Sequence, residues 1–341
     1  MSDLVHQALR TGYKYLKVPI LSRVLSRGKL AVLMYHGLIS EPLPFLDWCF
    51  VEESEFAEHL QFLSDHSFEF LSVQEGWRRL QLGTLDRPAV AITFDDGFES
   101  IYTHALPVLK KFQAPASVYL VTDLVDSNET LWFCYLIDAL GKTTASNFSW
   151  QGVEYVIGTA KEKAVVSNQI QARLKVLHPE ELNSELANML EKLGYSRGPI
   201  ESGNPFRILN RSQISEMRKS GLFEFGSHTT SHRILTRLDS KAVEAEVTES
   251  AEAVRSITGA ICREFAYPNG QKADIGFDIK GQMDEVGYRL VMTTQDGYNE
   301  ARTSPYEIRR IGVGPGLDAV TFGDRLDPLR VMVKSMLSRF S

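Results

Sequence analysis

Short apolar runs recur along this chain, and most of them end abruptly in polar residues. Lys29–His36, Val90–Phe94, Ala114–Val121, Gly221–Ser227, Arg263–Tyr267, Tyr288–Thr293 and Glu307–Val313 are rich in β-branched and aromatic residues and are too short for buried helices. Each is expected to be a strand, with a further short one over Phe68–Val73. Between them the apolar period changes to that of a helix. Ser54–Asp65 turns Phe56, Leu60 and Leu63 to one side, with Ser54 as the expected N-cap. Helices are also expected over Val73–Leu82, from Ile101 to Phe112, and over Ser212–Ser220, Ser240–Thr258 and Ile275–Val286. This alternation predicts an α/β fold, an irregular (β/α) barrel of seven or eight strands.

The alternation stops between about residues 123 and 210. There Trp132, Phe133, Leu136 and Ile137 share a helical face, Trp150–Ile157 reads as a hairpin arm, and Lys161–Leu193 is a charged, helix-forming stretch. The segment is expected to be a mostly helical insertion in one barrel domain over 30–325, not a separate catalytic unit. Residues 1–29 and 326–341 read as amphipathic helical segments flanking it.

Charge adds to this picture. The net charge is −6, yet residues 1–30 carry Arg10, Lys14, Lys17, Arg23, Arg27 and Lys29 against Asp3 alone. The acidic body argues against nucleic acid as a partner. The basic ends leave two readings open: helices packed on the barrel, or peripheral contact with an anionic inner membrane face. No run of 18 apolar residues predicts a spanning helix, and no apolar leader with a cleavage site is visible, so the cytoplasm is the expected location. Three scattered cysteines without a CxxC argue against a disulfide framework. With 43% hydrophobic and 23% charged residues, the composition is ordinary for a globular domain.

The chemistry lies at the ends of the strands. Val90–Phe94 runs into Asp95, Asp96 and Gly97. Two adjacent carboxylates at a buried strand end repel unless one is committed to a cation, and Gly97 permits the sharp turn that leaves both at one mouth. An acidic turn or helix N-cap is the alternative reading of the same three residues. Gly221–Ser227 leads directly to His228 and His232, four apart, which share a face if helical and also converge in a tight loop. Two histidines and one carboxylate make a three-ligand metal set with positions left open for water and substrate. The other carboxylate, Asp95, is then placed to accept a proton. His36 ends the first strand and is a site candidate by the same position.

These residues carry a family resemblance. Thr93-Phe94-Asp95-Asp96-Gly97 is similar to the first motif of the polysaccharide deacetylases (NodB-like, carbohydrate esterase family 4), and His228-Thr229-Thr230-Ser231-His232 to the second. Phe265–Gly270 resembles the third as found in exopolysaccharide-linked members, and Met34-Tyr35-His36 also fits that subgroup. The resemblance covers about residues 30–313, apart from the insertion. It implies a divalent metal, zinc first and Co²⁺, Ni²⁺ or Fe²⁺ next, held by Asp96, His228 and His232. It implies Asp95 as general base and hydrolysis of an N-acetyl or O-acetyl group on a polysaccharide, oligosaccharide or lipid-linked sugar. Tyr267, Pro268 and Asn269 would contact substrate, with a backbone N–H near Tyr267 facing the oxyanion.

Two departures qualify it. The arginine expected two residues before Pro268 is Ala266, and no histidine follows His232 to supply a late general acid. His36 is the candidate for the proton donor, and Arg310, on the last strand, is the candidate to contact Asp95 or substrate. The competing readings are a catalytically silent carbohydrate-binding relative and a hydrolase of another acyl amide.

Overall fold

Residues 26–276 and 279–328 are described by the computed structural model. The flanking segments expected over 1–29 and 326–341 lie almost wholly outside the described residues, and so does the basis for membrane contact. No helix among the described residues is long and apolar enough to cross a membrane.

The first strand, β1 (Leu30–Tyr35), is followed by a small parallel pair, β2 (Gly37–Ile39) and β3 (Phe50–Glu52). β3 runs straight into helix α1 (Glu53–Asp65), so Glu52, not Ser54, takes the N-cap, its N–H donating to Glu55 Oε2 at 3.4 Å. Next come β4 (Glu69–Phe70), α2 (Val73–Leu82), β5 (Ala89–Phe94), α3 (Leu106–Phe112, entered through a π-turn at Ile101–Ala105) and β6 (Ala116–Leu120).

The insertion follows as α4 (Trp132–Lys142), the hairpin β7 (Asn147–Trp150) and β8 (Val153–Val156), α5 (Ala160–Leu174) and α6 (Pro179–Lys192). The barrel resumes with α7 (Arg211–Lys219), β9 (Phe223–Ser227), α8 (Ser240–Thr258) and β10 (Glu264–Ala266). It ends with α9 (Ile279–Val286), β11 (Leu290–Met292), β12 (Ile311–Gly312) and α10 (Ala319–Arg325).

Eight of these strands make one parallel sheet in the order β11-β10-β9-β6-β5-β1-β12, with β4 also on β5. Along one edge of β5, β4 pairs with Ala89 and Val90 and β6 with Ile92 to Phe94. The last strand closes the irregular ring: Ile311 pairs with Leu33 of β1, while a bridge joins Ile308 to Met292 of β11.

Strand parity then sorts the side chains, because successive residues point to opposite faces. Leu33, Ile92, Val118, Phe265 and Val291 face the helices in the main core. Leu30, Val32, Ala89, Ala91, Met292 and Ile308 fill the inside of the ring in a separate cluster. The same parity carries Met34 and His36, Thr93 and Asp95, and Arg310 inward above that plug. The insertion has its own apolar core around Trp150, Ile170, Leu186 and Met189, which continues through Phe50, Phe98 and Phe206 into the barrel. It is therefore anchored over the strand ends by buried apolar surface.

Candidate active site

At the end of β5 the two carboxylates part company. Asp95 continues the ladder, its N–H donating to the Tyr35 carbonyl at 3.0 Å. Asp96 (φ 70°) and Gly97 (φ 76°) then turn through the left-handed region. For an aspartate that conformation costs of order 1–3 kcal/mol. A side chain at Gly97 would also press on Leu120, whose Cδ2 lies 2.9 Å from where its Cβ would be. The turn aims Asp96 at the histidines and Asp95 across the ring.

His228 and His232 sit in a loop, so the tight-loop alternative is the one that forms. Thr229 (φ 69°) and His232 (φ 59°) are both left-handed. Glu246 of α8 holds the loop, accepting from Thr230 N (2.9 Å), Thr230 Oγ1 (2.6 Å) and Ser231 N (3.1 Å), and also from the Ser231 hydroxyl. The Thr229 hydroxyl caps it by accepting from His232 N at 2.9 Å. Sequence reasoning missed Glu246, which lies amid the helical period of α8 with nothing local to mark it.

Asp96, His228 and His232 each offer a ligand atom, all within 4.8 Å of one another. His228 Nε2 and His232 Nε2 stand 3.5 and 3.3 Å from Asp96 Oδ1. Ligands about 2.0–2.1 Å from a tetrahedral ion are roughly 3.3–3.4 Å apart, so the set fits a zinc-like centre. Both Asp96 oxygens are buried without a hydrogen-bond partner, a costly state that a bound cation relieves. Burial, followed by the charge of Asp95, pushes the Asp96 carboxyl well above its ordinary pKa, and a cation reverses that push. Burial lowers both histidine pKa values, keeping the imidazoles neutral as ligation requires. His228 Nδ1 lies 2.7 Å from the Ala266 carbonyl; donating there leaves Nε2 free to ligate. The position that lacks the expected arginine thus orients the His228 ring through its backbone.

Arg310, just before β12, brings a guanidinium to Asp95. Nη1 and Nη2 donate to Asp95 Oδ1 and Oδ2 at 2.6 and 2.8 Å, and Nε donates to the Thr293 carbonyl at 2.9 Å. Arg310 is fully buried. Burial drives the Asp95 carboxyl upward, but Arg310, with His228 and His36, pulls harder and leaves it well below the usual carboxylate range. Arg310 decides this, since it alone of the three is charged at every working pH.

His36 Nε2 lies 3.9 Å from Asp95 Oδ2, and its ring meets Trp48 edge-on at 4.6 Å between centroids. Burial brings its pKa down to about 4. Of the three residues expected to contact substrate, only Asn269 lines the cavity. Tyr267 points outward by strand parity and packs edge-on against Phe265 in the main core. Its own N–H is committed to the Met292 carbonyl at 3.1 Å. Pro268 is buried away from the cavity.

The cavity is ≈ 430 Å³ and has two walls. The barrel gives Met34, His36 and the groups above; the insertion gives Trp132, Phe133, Gln171, Lys175 and Leu182. The insertion thus shapes the site, which no local feature of its sequence revealed. Phe45 and Phe50 are buried, whereas Trp48 is 42% exposed at the cavity wall.

The profile of the polysaccharide deacetylase family matches residues 83–291. A poly-β-1,6-N-acetyl-D-glucosamine N-deacetylase of Staphylococcus epidermidis is 27% identical over 179 residues, which span 50% of this chain and 59% of that relative's own length. Among solved structures, the Streptococcus pyogenes deacetylase PplD in complex with acetate has a TM-score of 0.59 at 20% identity, covering 88% of this chain and 99% of its own. IcaB from Ammonifex degensii has a TM-score of 0.54 at 20% identity, covering 87% and 97%. At these identities the structural likeness speaks to the fold.

Proposed function

The chain belongs to the polysaccharide deacetylase family, and from that premise we propose that it is a divalent-metal-dependent hydrolase that removes N-acetyl groups from the amino sugars of a glycan. The observation that carries this reading is the buried cluster of Asp96, His228 and His232 beside a separately anchored Asp95. Asp96, His228 and His232 would hold the ion, zinc being the best match to two imidazoles and a carboxylate. A bound divalent cation supplies Lewis acidity toward a carbonyl and a water.

The chain's own groups manage the proton. In amide hydrolysis water adds to the carbonyl carbon, the C–N bond breaks, and one proton passes from the water to the leaving nitrogen. Asp95, kept ionised and aimed by Arg310, takes that proton. His36, 3.9 Å from Asp95, is neutral at pH 7 and passes the proton on to the amine. Trp48, Trp132 and Phe133 exclude water and offer apolar faces to a sugar ring.

Acetate release from N-acetylglucosamine oligomers, with and without chelator and with zinc restored, tests the reading. Metal-dependent acetate is the expected result; stoichiometric zinc with no acetate from any N-acetylated glycan would leave a silent binding relative. The His36 assignment has its own test. An acid that had to be protonated beforehand would lose about tenfold in rate per pH unit above its pKa of about 4. A relay that begins neutral shows no such loss between pH 5 and 8. His36→Ala is expected to lower kcat by roughly 10²–10⁴, and wild-type rates falling tenfold per unit across that range would contradict the relay.

A further inference from the structure

Three cationic side chains in the cavity wall meet no carboxylate of the described residues within ion-pair distance. Among the described residues the wall carries Lys175, Arg233, Arg237, Arg310 and Arg325 against Asp95, Asp96 and Asp296. Asp95 is committed to Arg310, Asp96 to the histidine cluster, and Asp296 stands 3.9 Å from Arg325. Lys175 Nζ donates to the Asn269 side-chain oxygen at 3.2 Å. Arg233 donates to Asn183 Oδ1 at 3.2 Å and is half-buried, so desolvation works against its charge. The nearby Glu246 lies within electrostatic reach of Arg233 but already accepts from Thr230 and Ser231. Arg237 is exposed and makes no ion pair among the described residues.

Their placement matters as much as their number. Lys175 caps α5 of the insertion, whereas Arg233 directly follows the ligand His232 and Arg237 lies one turn further on. The cations therefore flank the metal cluster from both walls of a chain whose net charge is −6. Unpaired cations gathered in a cleft raise its potential and repel one another, and an anion between them relieves both. An uncharged glycan offers no such complement.

We propose that the cavity takes an anionic glycan, an N-acetylated sugar whose neighbouring residue or linkage carries a phosphate or carboxylate, and that Lys175, Arg233 and Arg237 bind that group. The proposal rests on the deacetylase reading and deepens it, because the polymer named for the staphylococcal relative bears no such anion. Both anions offer the oxygens that guanidinium and ammonium groups bind through charge-assisted hydrogen bonds.

The test uses the zinc-loaded full chain and three probes of matched length. One is a neutral N-acetylglucosamine oligomer, one has N-acetylglucosamine alternating with glucuronic acid, and one carries a phosphodiester. Calorimetric affinity and kcat/KM for acetate release are measured at low and high salt. One or both anionic probes are expected to exceed the neutral one by on the order of tenfold or more, with the margin shrinking in salt. Which of the two leads separates carboxylate from phosphodiester. Lys175→Ala combined with Arg237→Ala should collapse the margin, while Arg237→Lys should keep most of it. Neither residue holds a carboxylate in place, so the double variant is expected to fold. Equal treatment of all three probes overturns the proposal. So does a margin that survives both the double variant and the further change Arg233→Ala, since none of the three cations would then hold the anion. Preferential binding without acetate from any probe would sink the hydrolase reading and leave the anion site standing; acetate without preference would do the reverse.

Discussion

His228→Ala is expected to yield a folded protein without stoichiometric metal and without measurable acetate release. The variant removes one of three ligand atoms that lie within 4.8 Å of one another. Asp96 and His232 then remain, and two protein ligands hold a divalent ion poorly. The loss should exceed the roughly 10–100-fold that follows removal of a residue that merely orients a ligand. Folding should survive, because the imidazole gives up one hydrogen bond, to the Ala266 carbonyl, at a strand end beside the open cavity. Asp95→Asn is the matching control: it keeps all three ligand atoms and should retain zinc while losing on the order of 10²–10⁴ in rate. Zinc bound one-to-one in purified His228→Ala protein would remove His228 from the ligand set. Loss of zinc in Asp95→Asn would erase the division between the two carboxylates.

Two helices show what made part of the fold legible. Val73–Leu82 and Ser240–Thr258 form with the bounds their sequences predict, because both ends carry local chemistry. Ser72 and Asp239 accept from Glu75 N and Ala242 N, and Gly83 and Gly259 stop the helices in the left-handed conformation. The start of α1 misled for the opposite reason: Ser54 looks like a cap, but the chain arrives there already extended from β3. The β2–β3 pair and the seven-residue α10 are too short to show a period, and they form because the barrel offers them partners.

The grouping of Asp96, His228 and His232 was legible because all three closely follow the ends of apolar strands, so sequence position alone placed them at the mouth. Arg310 was half legible. Parity on the last strand puts it inward with Ile308, yet only the closed ring brings it to Asp95, 215 residues earlier in the chain. The cavity's second wall was not legible at all. Gln171, Lys175 and Leu182 look like ordinary residues of charged helices, and they become site residues only because the insertion's apolar core docks it over the strand ends. Tyr267 shows the other direction: its place within the third motif suggested contact, while alternation along β10 turns it into the core.

Arg310→Met should reverse the pH dependence of stability and introduce one in activity. In the native protein the guanidinium holds the Asp95 carboxyl below its ordinary pKa against the opposing effect of burial. Removing the cation leaves burial to act, so the Asp95 pKa in the folded variant rises above its unfolded value of about 3.9. Breaking a buried pair from one side costs roughly 3–5 kcal/mol. In the native protein the depressed pKa contributes stability that is present above about pH 3.9 and is lost as pH falls through the lower folded value. In the variant the folded state binds the extra proton, so its stability should decline as pH rises from about 4 toward the raised pKa. Activity should run the other way. A protonated Asp95 cannot accept a proton from water, so the variant's rate should climb with pH over a range where the native rate is flat. Arg310→Lys should recover part of the charge effect but not the two-point grip, since an ammonium cannot donate as a planar fork. Chemical denaturation and acetate release, each followed from pH 4 to 8, read the two slopes separately. Parallel slopes in variant and native protein would mean that Arg310 merely packs the ring and does not set the proton affinity of Asp95.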